Sequence, residues 1–160
     1  MTRYSKKADA ALEAVDALTR ENGPITWQPI SHLPVIADLI DGGVTDTSKQ
    51  TEILTEVRAK PHVFDDAILD RTERFYRGQL GFIEIHRQQL QRWRRENPSL
   101  AQRQEIDRLD IQNSRLRQMN AQIFALAAEI RKGTINRVME KSDLELGLEA
   151  LARFETNGGD

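Results

Sequence analysis

A long stretch from Val63 to Lys132 constrains the fold of this chain more than any other feature. It has no glycine after Phe82 and one proline, Pro98, so it predicts long helices interrupted once, with Asn97 as N-cap and Pro98 at the first helical position. Over its second half, apolar and asparagine residues recur at the alternating spacing of three and four that a heptad repeat produces. The residues of this stripe are Ile106, Leu109, Asn113, Leu116, Asn120, Ile123, Ala127 and Ile130.

Two arrangements of these helices satisfy the pattern. The segments 63–96 and 98–132 would each be about 50 Å long, so folding back at Asn97 gives an antiparallel hairpin with Tyr76 near Met119. Alternatively, Asn113 and Asn120 meet their symmetry mates in a parallel dimer, where a buried polar residue fixes register. The residues predicted to mediate self-association are Ile106, Leu109, Asn113, Leu116, Asn120, Ile123 and Ile130.

The composition fits long helices with solvated faces. Of 160 residues, 39% are hydrophobic and 30% charged, and the formal net charge is -2. No apolar run approaches the ~18 residues needed to span a bilayer, so we expect no membrane segment and a soluble, cytoplasmic protein. The chain has no cysteine, which excludes disulfides, thiolate chemistry and Cys-ligated zinc.

Residues 1–61 predict a domain of three short helices. The first helix is expected over Lys6–Arg20, the second over Pro34–Ile40 and the third over Ser48–Lys60. Because Asp41-Gly42-Gly43 reads as a turn, the second and third helices suggest a helix-turn-helix. The alternative is a three-helix cap with no role in DNA binding.

Two stretches of this domain carry a resemblance to a known family. The run Ala14–Thr26 (AVDALTRENGPIT) is similar to the opening of the DNA-binding domain of the plasmid KfrA family. Asp41–Thr45 (DGGVT) and Thr47–Lys60 are similar to the turn and recognition helix of that family, in which a long coiled coil follows. The same layout occurs in accessory proteins of transposon recombination systems. The resemblance implies double-stranded DNA as a partner, or a recombinase or other assembly protein.

Two groups of residues are the candidate DNA contacts. On the expected recognition helix they are Thr45, Thr47, Ser48, Lys49 and Gln50, of which Thr45 or Thr47 would cap the helix. At the end of the first long helix, Arg92, Arg94 and Arg95 form a basic tip that can hold phosphates. The alternative for this tip is a solvated surface in which arginine alternates with acidic residues.

The last segment, 133–160, is expected to be separate from the long helices. Gly133 should end the second long helix, and Ser142-Asp143-Leu144-Glu145 matches a capping box that starts a final helix. Leu144, Leu148, Leu151 and Phe154 would line one face of that helix. The predicted architecture is therefore all-α: a helix-turn-helix-like domain (1–61), a long hairpin or coiled coil (62–132) and a C-terminal helical segment with a loose tail from Thr156 (133–160).

No motif points to catalysis or to a cofactor. His32, His62 and His86 are far apart in sequence and match no metal-ligand spacing, and there is no phosphate-binding loop and no nucleophile elbow. We therefore expect a non-enzymatic protein without a metal or cofactor. The first hypothesis is a DNA-binding accessory or regulatory protein of a plasmid, transposon or other mobile element. The second is a structural or assembly protein that binds a protein partner and no DNA.

Overall fold

The computed structural model describes residues 2–60 and 65–156, with side chains for residues 9–60, 65–135, 139 and 143–153. Within these ranges the elements are α1 (Thr2–Asn22), a 3-10 turn (Ile30–His32), α2 (Leu33–Arg58), α3 (Asp66–Arg94) and α4 (Leu100–Thr156). None of the described residues lies in a β-strand, which confirms the all-α prediction. The predictions made for His62 and for the tail 157–160 fall outside the described residues.

Helices α3 and α4 form an antiparallel hairpin within one chain. Asn113 Nδ2 donates to the Ile83 carbonyl at 2.9 Å, and Asn120 Nδ2 donates to the Tyr76 carbonyl at 2.8 Å, so residue numbers rise along one helix as they fall along the other. The seven residues predicted to join two chains are each at most 4% exposed in the single chain: Ile106, Leu109, Asn113, Leu116, Asn120, Ile123 and Ile130. The parallel-dimer seam is therefore wrong, because α2 and α3 already cover this face.

Helix α2 lies alongside α4 and runs in the same direction. Asp41 contacts Arg108 near one end, and Arg58 contacts Glu129 near the other. Apolar clusters join the three helices α2, α3 and α4 at both ends of the bundle, with a smaller cluster of Val44, Ile83 and Leu116 in the middle. The core of the protein is thus a three-helix bundle.

The predicted helix-turn-helix is wrong, because α2 continues through Gly42 and Gly43 without a turn. Two inward-facing residues explain the continuity: Ile40 and Thr47 are fully buried and stay in phase on one side of the helix across the glycines. Gly43 also faces α4, where a Cβ would lie 3.1 Å from Leu116 Cδ2, so its small size permits close packing. The burial of this stripe outweighs the cost of about 1 kcal/mol per helical glycine.

Helix α1 packs mainly on α3, where the two backbones come close at Gly81. A Cβ at Gly81 would lie 2.5 Å from Leu18 Cδ1 and 3.0 Å from the Ala14 carbonyl oxygen. Gly78, one turn away, has open space at the same position. The two α3 glycines therefore differ: Gly81 permits a close helix crossing, whereas Gly78 is merely tolerated.

The segment between α1 and α2 is an extended strap bound across the end of α3. Gln28 N donates to Gln89 Oε1 at 2.7 Å, and the Gln28 carbonyl accepts from Gln89 Nε2 at 3.3 Å and from Trp93 Nε1 at 2.9 Å. Trp93 is fully buried and packs with Leu33, Ile36, Ala37, Ile40, Leu90, Ile106 and Leu109. This one side chain therefore joins the strap to all three helices of the bundle.

A turn separates α3 from α4 as predicted, but the N-cap of α4 is not the predicted residue. Asn97 has φ +51°, a left-handed conformation that asparagine adopts more readily than most residues, so it is not the N-cap. Ser99 has that role: Ser99 Oγ accepts from Gln102 N at 3.2 Å while Gln102 Oε1 accepts from Ser99 N at 2.9 Å. Such reciprocal bonds form a capping box, which starts α4 at Leu100.

Helix α4 continues to Thr156, so the predicted stop at Gly133 and the new start at Ser142 are both wrong. Arg131 forms ion pairs with Asp66, Asp70 and Glu73 in the first turns of α3, so the bundle ends at this level. Residues 132–156 therefore extend beyond the bundle by about 37 Å. A single glycine such as Gly133 costs about 1 kcal/mol, which is too little to end a helix of this length.

Candidate functional site

Most of the predicted recognition residues lie in the middle of α2, where backbone amides are used within the helix. Thr47 is fully buried, and its hydroxyl accepts from Gln79 Nε2 at 3.1 Å. Thr45 donates to the Asp41 carbonyl one turn earlier, at 3.1 Å. Neither threonine caps a helix, and no helix begins here that could offer free N–H groups to phosphate.

Three of these residues nevertheless line one shallow surface groove between α2 and α4. Thr45, Ser48 and Lys49 form the α2 side of it, and the α4 side includes Gln112 and Arg115. Gln50 is half-buried and does not line the groove. Lys49 and Arg115 are exposed and pair with no carboxylate among the described residues.

One of the three arginines in the predicted basic tip at the end of α3 is paired with carboxylates of the same chain. The Arg94 guanidinium bonds to Asp107 at 2.5 Å and to Asp110, and the Arg92 guanidinium lies 4.1 Å from the ring centre of Trp27. Arg95 is exposed. Trp93 between them is buried, so it offers no stacking surface to a ligand. The tip is therefore closer to the solvated alternative than to a phosphate clamp.

Four arginine clusters tie the helices together. Arg108 bonds to Asp41 on α2 and to Glu105 on its own helix, which lowers the pKa of both carboxyls. Arg94 and Arg131 bond to carboxylates across the α3–α4 hairpin. Glu84, buried on α3, binds Arg87 of the same helix and Arg117 of α4. These arginines stabilise the packing of the helices. The sequence pattern alone did not distinguish this role from ligand binding.

A buried polar layer also crosses the bundle. Gln79 donates to Thr47 of α2 at 3.1 Å and accepts from Asn120 of α4 at 3.2 Å, so it bonds to both other helices. The sequence left two arrangements open for the stripe that contains Asn120, and its hydrogen bonds are those of the arrangement within one chain. Buried polar groups of this kind fix the register of packed helices.

Glu84 gives a testable pH dependence. Hydrogen bonds from Arg87 hold the pKa of Glu84 below its usual value of 4.5, although burial acts in the opposite direction. The stabilisation is therefore complete above that value and is lost as the pH falls through the lowered folded pKa. We expect Glu84→Gln to reduce the free energy of unfolding at pH 7 by about 1–2 kcal/mol, because both partner guanidiniums are partly solvated.

Chemical denaturation between pH 7 and pH 3 checks this expectation. The difference between the Glu84→Gln variant and the parent should shrink on acidification. Asp107→Asn is the matched control, because that carboxylate is 58% exposed and its loss should change stability by less than about 1 kcal/mol. A deficit for Glu84→Gln that is the same at both ends of the pH range would contradict the role given to the charge.

The exposed end of α4 holds a concentration of exposed large apolar side chains. Six large apolar side chains on it are between 58% and 65% exposed: Ile135, Met139, Leu144, Leu146, Leu148 and Leu151. At 100° per residue they follow two stripes on opposite sides of the helix. Ile135, Met139 and Leu146 form the first stripe, and Leu144, Leu148 and Leu151 form the second. Each stripe is an apolar face of α4 that lies beyond the three-helix bundle.

The described residues contain no group of three His, Asp or Glu side chains that could hold a metal ion. Among the histidines, burial lowers the pKa of His86, whose ring lies 6.3 Å from that of Phe82.

Across the part of the chain that the structure describes, every helix is too short or too polar to cross a membrane.

Comparison with known proteins gives no family for the chain: no family model, no curated protein and no solved structure matches it significantly. The resemblance to KfrA-type proteins therefore stays a prediction.

Proposed function

We propose that this chain is a non-enzymatic assembly protein that binds a protein partner through the exposed end of α4. The observation that carries the proposal is the pair of apolar stripes on residues 132–156, which none of α1, α2 and α3 covers. A free helix with this much exposed leucine is costly in water, and a partner helix lowers that cost by burying it. The rigid three-helix bundle then holds the projecting helix at a fixed angle.

Site-specific photocrosslinking in cells that produce the chain tests this function. We expect a benzophenone amino acid at Leu148, on the second stripe, to give an adduct heavier than the 18.3 kDa chain. The same probe at Glu145, which lies between the stripes on the polar side, is the matched control and should give little adduct. Absence of any adduct from Leu148 would overturn the proposed function.

DNA binding is the second candidate, and it rests on the groove between α2 and α4. Lys49 and Arg115 face this groove together with hydroxyl and amide groups of Thr45, Ser48 and Gln112, which can contact phosphates. The carboxylates nearby, Asp41 and Glu105, are bonded to Arg108 and are thereby partly neutralised. A role in a plasmid or transposon system would use this surface.

A titration of labelled duplex DNA across a salt series tests the second candidate. Lys49→Glu with Arg115→Glu should weaken binding and make the slope of log K against log salt shallower, by up to ~0.9 for each phosphate that the variant no longer neutralises. Arg20→Glu with Lys60→Glu makes the same charge change outside the groove and is the control. Equal effects of the two double variants would indicate a response to net charge alone, and would remove the groove as a binding site.

A further inference from the structure

Helix α3 presents an aromatic face formed by Phe75, Gly78 and Phe82. Phe75 is 65% exposed and Phe82 is 50% exposed, although both lie on a helix of the bundle. They are seven residues apart, so their side chains point in directions within about 20° of each other and are separated by about 10 Å along the helix. No atom lies within 4 Å of where a Cβ of Gly78 would be. The surface between the two rings is therefore open.

The charges beside the aromatic face indicate what kind of partner fits it. Arg71, Arg74 and Arg77 are exposed on the same segment of α3 and form no ion pair with any carboxylate of the described residues. Apolar rings bordered by unpaired arginines suit a helix that has an apolar stripe and acidic flanks.

The exposed end of α4 has this chemistry. Its second stripe presents Leu144 and Leu151 seven residues apart, which is the spacing of Phe75 and Phe82 on α3. Residues 143–153 include one basic residue, Arg153, and three acidic ones: Asp143, Glu145 and Glu149. Because α4 is one continuous helix, its end projects away from the bundle and cannot fold back on α3 of its own chain. The contact is possible only between two copies.

We infer that the occupant of the aromatic face is the exposed end of α4 of a second copy, with Leu144 on Phe75 and Leu151 on Phe82 of the other chain. This inference rests on the proposed function and names the partner. The two α4 helices are then antiparallel, because α3 and α4 are antiparallel within each chain. Each copy covers the aromatic face of the other, and the dimer closes around a twofold axis.

Two single variants of the full chain test the inference by sedimentation equilibrium. We expect the parent to dimerise, and Phe75→Asp and Leu148→Asp each to raise the dissociation constant about tenfold or more, because each substitution damages both contacts of the dimer. Ile111→Asp is the matched control, since this residue is 70% exposed elsewhere on α4 and should leave the dimer intact. A Phe75→Asp variant that dimerises like the parent would overturn the inference.

An equimolar mixture of Phe75→Asp and Leu148→Asp distinguishes this contact from a direct pairing of two α4 ends. In the mixed dimer one contact joins an intact aromatic face to an intact leucine stripe. Both substitutions fall in the other contact, where the second costs little once the first has disrupted it. We therefore expect the mixture to dimerise more tightly than either variant alone. A mixture no tighter than its components would contradict the exchange of α4 ends.

The arginines that border the aromatic face give a test of the charge complementarity. Arg71→Glu with Arg74→Glu should raise the dissociation constant about tenfold, because like charges then meet the acidic end of α4. Arg103→Glu with Arg115→Glu makes the same change of charge on exposed positions of α4 and is the control. Equal effects of the two double variants would indicate a response to net charge alone and would remove this face as the docking site.

The distance between the two copies provides an independent measurement. Asn120 bonds to the Tyr76 carbonyl, so Leu144 opposite Phe75 places position 145 of one α4 level with position 120 of the other. The twofold axis therefore lies near Lys132. The chain has no cysteine, so Lys132→Cys gives one spin label per chain.

We expect about 20 Å between the two labels by electron double resonance, because the α4 axes lie two helix spacings apart with α3 between them. In an open chain of copies, with the end of α4 antiparallel to α3 of the next copy, the labels would be about 45 Å apart. A distance near 45 Å would rule out the closed dimer.

The inference and the proposed function can fail separately. Thermal unfolding of Phe75→Asp and Leu148→Asp should match that of the parent, since both side chains are mostly exposed. A monomeric parent chain would overturn the inference. If the Leu148 photocrosslink then joins the chain to a different protein, the proposed function still stands, and if it yields no adduct, both fail.

Discussion

Replacing Trp93 by alanine is expected to lower the free energy of unfolding by about 3–5 kcal/mol, the largest single effect that the structure indicates. The side chain is fully buried in the cluster that joins the strap and the bundle helices, and its removal leaves a cavity that rigid helices cannot close. It also removes the donor to the Gln28 carbonyl. Denaturant unfolding followed by circular dichroism measures the loss.

Two further substitutions separate the contributions to this effect. Trp93→Phe keeps most of the ring and removes the hydrogen bond, so we expect a loss of about 1–3 kcal/mol. Trp27→Ala removes the other tryptophan, which is half-buried and contacts the Arg92 guanidinium, and should cost about 1 kcal/mol. If Trp27→Ala and Trp93→Ala were equally destabilising, the central place given to Trp93 would be incorrect.

Gly81→Ala is expected to destabilise the protein by about 1–3 kcal/mol, because a methyl group at this position meets the Ala14 backbone oxygen. Leu18 can change rotamer, but the backbone of α1 can only move away as a whole. We therefore expect hydrogen exchange to accelerate in α1 and to change little in α2 and α4.

The matched control for Gly81→Ala is Gly78→Ala on the same helix. Nothing lies within 4 Å of a Cβ at position 78, so this change should stabilise α3 by up to about 1 kcal/mol through helix propensity alone. Opposite signs for the two substitutions are the expected result. A stabilising Gly81→Ala would show that α1 does not pack on α3 as the structure has it.

Local pattern predicted the register that a hairpin would have, because the determinants of that register are close in sequence. The heptad stripe, the near-equal lengths of the segments 63–96 and 98–132 and the interruption at Asn97-Pro98 predicted an antiparallel pair of long helices as one of two arrangements, with Leu90 near Ile106. The same pattern could not show which partner buried Asn113 and Asn120. A seam between two chains and a seam within one chain require the same spacing, and only the position of α2 and α3 distinguishes them.

The errors in the N-terminal half have a common physical cause. Gly42 and Gly43 resemble a turn, because two successive glycines weaken an isolated helix by about 2 kcal/mol. In the folded protein, Ile40, Val44 and Thr47 are buried on both sides of the glycines, and this burial keeps α2 continuous. Of the five expected recognition residues, Thr47 therefore has a buried hydroxyl, and Thr45, Ser48 and Lys49 line a surface groove. Gln50 lies outside that groove.

By itself, the sequence determined the all-α class, the C-terminal ends of α1 and α3 to within two residues and the register that a hairpin would have, since these depend on residues that are neighbours along a helix. The tertiary structure alone decided the continuity of α2, the burial of Trp93 beneath the strap, the pairing of the arginines and the difference between Gly78 and Gly81. Each of these depends on which atoms of a distant segment occupy the space beside a residue. The spacing of residues in the sequence does not show which atoms those are.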